Sequence, residues 1–271
     1  MRALGVVVVA AALAVVPMPA RADVADVVEG LLRGFASEKC EERWAALTQH
    51  TDRSIGRVTS YREPAHAVTA SLQERARTAP PSVQARVRDA TGFTDEYSNA
   101  FHRVQRAAQT VDRSRPESEV RAQSLASVTK ILENRAEPFV PRLIAAALIA
   151  KTARRSETAR QSGWNRPVVA LLASPDPTAR LVATIVAAGG NLPDDRSMTK
   201  DRIIAELIRG LEADPFAARY QSQQGLRALA RPASGSCVDT GDDRQARAPG
   251  VQAWQAWARE HQARFSREPI K

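Results

Sequence analysis

Three prolines at nearly constant spacing constrain the fold of this chain more than any other feature of its sequence. Pro138, Pro177 and Pro215 lie 39 and 38 residues apart, and a fixed period of this size is typical of repeat proteins. Segments with apolar residues at helical spacing precede and follow each proline. Proline suits the first position of a helix, where its missing N–H would have no partner in any case. The pattern therefore predicts helical hairpins whose second helix begins at the proline.

Helical spacing of apolar residues extends over the rest of the chain as well. The clearest case is one helix face that carries Val24, Val27, Val28, Leu31, Leu32 and Phe35. Alternating apolar and polar residues, which indicate strands, are nearly absent, and aromatic residues make up only 5% of the chain. The sequence therefore predicts an all-α protein of antiparallel hairpins, which stack because neither helix of a hairpin can bury its apolar face alone.

The turn around the second proline carries a more specific pattern. Asp176 directly precedes Pro177, where its side chain can accept hydrogen bonds from the first turn of the helix, and Arg180 follows three residues later. With the apolar helix before the turn and the small residues after it, residues 168–190 resemble a HEAT repeat. The resemblance implies an α-solenoid of HEAT-like, armadillo-like hairpins that form a superhelix. It also implies that the aspartate and the arginine orient adjacent hairpins rather than touch a ligand.

The neighbouring units match this pattern less closely. In residues 207–230, Asp214 and Pro215 repeat the turn, but Arg219 lies four residues after the proline and glutamines interrupt the apolar face. The first unit has Glu137 in place of the aspartate. The predicted organisation after the first 22 residues is divergent N-terminal hairpins, HEAT-like repeats, a long loop and a capping helix, at residues 23–115, 116–231, 232–250 and 251–271.

The first 22 residues are typical of a signal peptide. Arg2 is followed by an apolar run from residue 3 to residue 16, and Ala20 and Ala22 form a cleavage site of the A-x-A kind. The run is shorter than the roughly 20 apolar residues that a membrane-spanning helix needs, and no later segment is long enough either. We therefore expect cleavage after Ala22 and export to the periplasm or the medium. An uncleaved N-terminal anchor is the alternative.

The two cysteines, Cys40 and Cys237, lie near opposite ends of the exported part. Thiols oxidise readily outside the cytoplasm, so a disulfide between them is the simplest expectation. Such a bond requires the two Cα atoms to lie within about 7 Å of each other, which a long open superhelix would prevent. Buried free thiols and a bridge between two molecules are the alternatives.

The formal net charge of +9 favours anionic partners, but its distribution is not that of a nucleic-acid site. Arginines are scattered along the predicted helices rather than clustered in a run, and export disfavours nucleic acid further. The strongest local concentration is Arg154, Arg155 and Arg160, a small basic patch that is also explained by favourable placement of cations near the end of a helix. An anionic polymer of the cell envelope therefore remains as an alternative partner.

One helix face carries the best candidate for catalytic chemistry. Asp95, Asn99, His102 and Arg106 follow one another at helical spacing, and a carboxylate near a histidine can transfer protons. A solvated helix surface is the more common identity of such a stripe, and we favour it. The four histidines stand singly, so no metal site is predicted, and the sequence carries no cofactor-binding motif.

The long loop and the terminal helix each offer one further candidate. The loop contains Asp239, Asp242 and Asp243, which could hold Ca²⁺ but lack the spacing of an EF-hand loop, and we favour a solvated acidic loop. The terminal helix presents Trp254 and Trp257 on one face, as a cap for the stack or as an aromatic binding platform, and we favour the cap.

Taken together, the sequence predicts an exported, non-catalytic helical scaffold that binds a protein partner. An enzyme with a site assembled from distant residues and a binder of envelope polymers are the alternatives.

Overall fold

The computed structural model describes residues 24–60, 66–109, 117–155, 163–190, 199–230, 237–241 and 243–266. These ranges contain eleven α-helices and no β-strand, so the all-α prediction is confirmed for them. The helices are α1 (Val24–Ala36), α2 (Cys40–Ser60), α3 (His66–Ala76), α4 (Pro81–Gln109), α5 (Glu117–Glu133), α6 (Phe139–Arg155), α7 (Arg166–Leu171), α8 (Pro177–Ala188), α9 (Lys200–Gly210), α10 (Phe216–Ala230) and α11 (Arg244–Phe265). The predicted signal peptide lies outside the described residues.

Ten of these helices pair into five hairpins, α1–α2, α3–α4, α5–α6, α7–α8 and α9–α10. The prediction that the second helix begins at the proline is confirmed for α8, which begins at Pro177, whereas α6 and α10 begin one residue after Pro138 and Pro215. The second helices of the hairpins, α2, α4, α6, α8 and α10, pack against one another in chain order. Helix α10 also contacts α4 and α6, so this row of helices closes on itself.

Two of the second helices, α6 and α10, are enclosed over much of their length, whereas α4 keeps an exposed face. Every residue of α6 from Phe139 to Ala146 is buried, and so is every residue of α10 from Ala217 to Gln223. A helix covered on all sides does not show a one-sided apolar stripe. The glutamines that interrupt the apolar pattern of α10 have partners inside the protein: Gln223 Oε1 accepts from the Val238 N–H at 2.8 Å, and Gln224 Nε2 donates to Tyr220 Oη at 2.8 Å.

One contact recurs where the second helix of a hairpin begins. The fourth residue of the helix is an arginine or a glutamine that donates to main-chain carbonyls of the preceding turn, and this is seen for Arg43 in α2, Gln84 in α4, Arg180 in α8, Arg219 in α10 and, in the terminal helix, Arg247 in α11. Arg142 is the fourth residue of α6 and donates from Nε to Leu132 O at 3.1 Å. The last carbonyls of a helix have no partner within it, so these side chains satisfy groups that the turn would otherwise leave unpaired.

This contact explains the irregular position of Arg219 in the sequence. Counted from the proline, Arg219 is displaced by one residue relative to Arg180, but both are the fourth residue of their helix. The difference arises because α10 begins at Phe216, after Pro215, whereas α8 begins at the proline itself. Asp214 accordingly lies two residues before its helix, and its carboxylate accepts from Arg244 at 3.1 Å.

Candidate functional site

The first and last parts of the described chain meet at one place, where Cys40 forms a disulfide with Cys237. The two Cα atoms are 5.8 Å apart, although 197 positions separate them in the sequence. Residues 237–241, which we call the strap, then run alongside α10 towards its N-terminal end. Val238 is held by Gln223, and Arg219 Nε donates to Thr240 O at 2.8 Å. The side chains of Val238 and Thr240 are buried.

The strap lies in a groove between α10 on one side and α2 and α4 on the other. Its carboxylate, on Asp239, faces two arginines: Oδ2 lies 3.2 Å from Arg43 Nη2 and 3.5 Å from Arg86 Nη2. The Arg43 and Asp239 side chains are each 16% exposed, so solvent screens their attraction less than that of a surface pair. Arg86 also donates to Phe35 O at 2.9 Å, which fixes the direction of its guanidinium.

A cavity of about 30 Å³ remains between the strap and the helices, room for roughly two water molecules. Its walls carry the charged side chains of the strap and its arginines, one further acid and several apolar residues, namely Phe35, Cys40, Arg43, Trp44, Leu47, Arg86, Asp89, Phe216, Val238, Asp239, Thr240 and Gly241. A guanidinium stays protonated at any ordinary pH and presents a planar set of donors that fits a carboxylate. The guanidiniums beside this cavity are therefore suited to binding a carboxylate and unsuited to proton transfer.

Aromatic rings fill the space between α2, α4 and α10 behind this groove. The Tyr220 ring lies 5.2 Å from the ring of Trp44 and 5.2 Å from that of Phe93, which in turn contacts Phe216. Burial raises the pKa of the Tyr220 hydroxyl, and the nearby charge of Asp52 acts in the same direction. A tyrosine held neutral and enclosed in this way contributes packing rather than chemistry.

His50, on α2, is the most strongly perturbed histidine among the described residues. Its side chain is 1% exposed, and burial lowers its pKa to about 4. The hydroxyls of Thr51 and Ser54 on the same helix are buried too. The imidazole is thus neutral near pH 7, but it does not line the cavity and has no route to a substrate there.

The stripe predicted from the sequence as a candidate catalytic face lies on the surface of α4. Asp95, Asn99, His102 and Arg106 are all exposed, while the opposite face of the helix is buried. The ring of His102 packs on the ring of Phe101, with centroids 5.8 Å apart. Among the described residues, no group of three or more histidine, cysteine or acidic side chains is placed to hold a metal ion.

Two smaller candidates from the sequence have structural partners. In the basic patch, Arg154 donates to Gly190 O at 2.8 Å, while the side chain of Arg155 and the whole of Arg160 lie outside the described residues. Of the three acids of the long loop, Asp242 lies outside the described residues, and the other two have partners in the protein. Asp239 faces two guanidiniums, and Asp243 Oδ1 caps α11 by accepting from Gln245 N at 2.8 Å.

The predicted turn residues connect neighbouring hairpins. Asp176 caps α8 through Oδ1, which accepts from Thr178 N at 2.9 Å, and its Oδ2 accepts from Arg142 Nη1 of α6 at 3.0 Å. Burial alone would raise the pKa of Asp176, but these hydrogen bonds hold it below its ordinary value. Arg180 Nε lies 3.4 Å from Glu206 on α9. Both ion pairs therefore join one hairpin to the next.

The terminal helix packs its aromatic face inwards. Helix α11 contacts α9, and Trp254 and Phe265 are buried. Trp257 is half-buried, with its ring 5.3 Å from that of Trp254 and 5.2 Å from that of Phe265. This arrangement is typical of a cap on the last hairpin.

Comparisons with protein families, with curated proteins and with solved structures found no match to this chain. Within the ranges that the structure describes, no helix is both long enough and apolar enough to cross a membrane. The strap and its arginines did not emerge from the sequence. The available signal was the position of Arg43, three residues after Cys40 at the start of a helix, which repeats the position of Arg180 after Pro177.

Proposed function

We propose that this protein is an exported, non-catalytic scaffold of stacked helical repeats that binds a protein partner in the cell envelope. The observation that carries the proposal is the disulfide between Cys40 and Cys237. Disulfides persist in oxidising compartments, and this one joins the first hairpin to the segment after the last hairpin. The first 22 residues, with their apolar run and A-x-A site, support the same location.

The repeat architecture is supported by contacts as well as by the sequence. Second helices pack in chain order, and the fourth-residue contact is present in hairpins that have no sequence resemblance to a HEAT repeat, through Arg43 and Gln84. The ion pair between Arg142 and Asp176 links consecutive hairpins, which is the role that the resemblance implies for the aspartate. We therefore extend the proposed HEAT-like α-solenoid over all five hairpins.

The surroundings of the polar side chains favour binding over catalysis. The arginines that line the cavity face Asp239 and main-chain carbonyls, and His50 is enclosed away from it. The second helices α6 and α10 are fully buried over residues 139–146 and 217–223, so they leave little of the concave face that an open solenoid would offer. A partner would bind at the rims of the molecule, where charged residues and the groove of the strap are located.

Export and partner binding can be tested separately. We expect the protein isolated from the cells that make it to begin at Asp23, as read by mass spectrometry of the N-terminal peptide. For binding, the protein from residue 23 onwards is immobilised, oxidised in one sample and reduced by a dithiol in another, and each sample is exposed to an envelope extract at low and then high salt. A partner retained in stoichiometric amount at high salt supports the scaffold, since exposed ion pairs alone weaken as screening increases.

A matched control distinguishes a specific contact from retention by general positive charge. The variant His102→Ala/Arg106→Ala changes the exposed face of α4 and leaves the groove intact. We expect it to retain the partner as well as the parent protein does. Loss of all bound protein at high salt would reject the scaffold in favour of a binder of anionic polymers, and an N-terminus at Met1 would reject export by signal cleavage.

A further inference from the structure

The strap is held the way a bound peptide is held. Gln223 accepts a main-chain N–H from it, Arg219 and Arg247 donate to its main-chain carbonyls, and Arg43 and Arg86 face its one carboxylate. Main-chain groups are thus recognised along its length, while the side-chain contacts select a negative charge at a single position. Recognition of this kind does not depend on the strap being covalently connected to the helices.

The walls of the groove are shaped for a main chain at close range. A Cβ added to Gly250, in α11, would lie 2.8 Å from Val238 Cγ2, so the absence of a side chain there lets the strap approach the helix. Gln223 is fully buried, and among the described residues its Nε2 group has no hydrogen-bond partner. This leaves the amide NH2 group of Gln223 beside the strap as a donor for a peptide carbonyl.

We propose that the groove is a binding site for an extended peptide segment with a central aspartate or glutamate, and that the strap is its resident ligand. The inference rests on the proposed binding function, for which it names the class of partner. The disulfide keeps the strap in place, because it removes the freedom of residue 237 to leave Cys40. A partner segment therefore competes with the strap most effectively when this bond is open.

Opening the bond requires a dithiol reductant. The dithiol supplies two electrons and two protons: the bond between the two sulfur atoms breaks, Cys40 and Cys237 each become a thiol, and the dithiol becomes a disulfide. Both cysteines are only half-buried, so a thiolate can approach them. The protein would accordingly bind an acidic peptide weakly when oxidised and more tightly when reduced.

The test uses a fluorescein-labelled, C-terminally amidated peptide with the sequence of residues 236–241 and serine in place of the cysteine, Ser-Ser-Val-Asp-Thr-Gly. Its binding is followed by fluorescence anisotropy on the oxidised protein, on the protein reduced by a dithiol, and on the triple variant Cys40→Ser/Cys237→Ser/Asp239→Asn. The triple variant removes both the bond and the charge of the resident ligand. We expect the affinity to rise in that order.

Two controls make the result specific. A peptide with asparagine in place of aspartate should bind the triple variant about tenfold more weakly, because hydrogen bonds to a charged group contribute more than neutral ones. Adding Arg86→Gln to the triple variant should abolish binding, whereas adding Arg209→Gln, at an exposed arginine of α9, should leave it unchanged.

The inference is overturned if the triple variant, with the helix content and cooperative unfolding of the parent, shows no saturable binding or fails to distinguish aspartate from asparagine. If the triple variant does not fold, the reduced parent protein decides the question by the same criteria. Capture of an envelope partner without any peptide binding would remove the groove as the site but keep the scaffold. Peptide binding without a captured partner would keep the groove as a peptide-binding site but reject the scaffold.

Discussion

Removing the disulfide should reveal how much the closure of the chain contributes to stability. The bond joins residues 197 positions apart, and in the chain-entropy model a loop of that length stabilises the folded state by about 5 kcal/mol at 25 °C, by restricting the unfolded chain. The chain-entropy model takes the contacts between α2, α4 and the strap as equal with and without the bond, so they cancel in the comparison. We expect the variant Cys40→Ser/Cys237→Ser to be less stable by about 2–5 kcal/mol, the usual range for loss of a native disulfide.

The assay is urea unfolding of the oxidised parent and the double variant, followed by far-ultraviolet circular dichroism and by tryptophan fluorescence. Trp44, one of four tryptophans, lies beside the strap, so the fluorescence includes a contribution that reports on closure, while circular dichroism reports on the helices. The reduced parent protein is the control and should match the double variant. A difference below about 1 kcal/mol, with the bond in the parent verified by mass spectrometry, would refute the argument from the length of the loop.

Three further predictions concern single positions. Gly210→Ala should lower the midpoint of thermal unfolding, because the new Cβ would lie 2.7 Å from Leu181 Cδ1 and overpacking costs about 1–3 kcal/mol. Gly92→Ala has open space around it and should raise the midpoint, because alanine favours a helix more than glycine does; equal effects of the two variants would contradict the packing at Gly210. Burial lowers the pKa of His50 to about 4, so on acidification the unfolded state takes up a proton at this residue before the folded state does, and the free energy of unfolding should fall by up to about 3 kcal/mol between pH 6.5 and pH 4. The variant His50→Leu should flatten that part of the pH profile, and an unchanged slope would show that His50 is not its cause. Arg142→Met should cost about 3 kcal/mol in urea unfolding, because it leaves buried acceptors without their donor, and a change under about 0.5 kcal/mol would show that the contact is not needed.

The sequence was sufficient for the helices because their signals are local. Pro177 and Asp176 act within one turn of α8, and the structure shows both in the predicted place. The burial of α6 was harder to predict, since a helix covered on every side loses the one-sided pattern that identifies a face. The small residues of α6 indicate close packing but do not identify the helices that pack against it.

The site was not predictable in the same way, because it depends on which distant segments meet. Asp239 stands among other acids in the sequence, and this local context favoured a solvated acidic loop, with a cation site as the alternative. Its actual neighbours, Arg43 and Arg86, belong to the first two hairpins and come near it only when the row of helices closes. Because these contacts join distant parts of the chain, the sequence could give the Cα distance that a disulfide requires but could not show whether the two cysteines lie that close.

Closure also determines where the proposed helical-repeat scaffold can bind another molecule. An open solenoid offers the concave face formed by its second helices. Here α10 contacts α4 and α6, and the rings of Trp44, Phe93 and Tyr220 occupy the space between the helices, so that face is used internally. The groove of the strap, where the first and last hairpins meet, is available for binding instead, and residues of both hairpins line it. A bond that holds these two parts together therefore stabilises the fold and, by the same constraint, governs access to the groove between them.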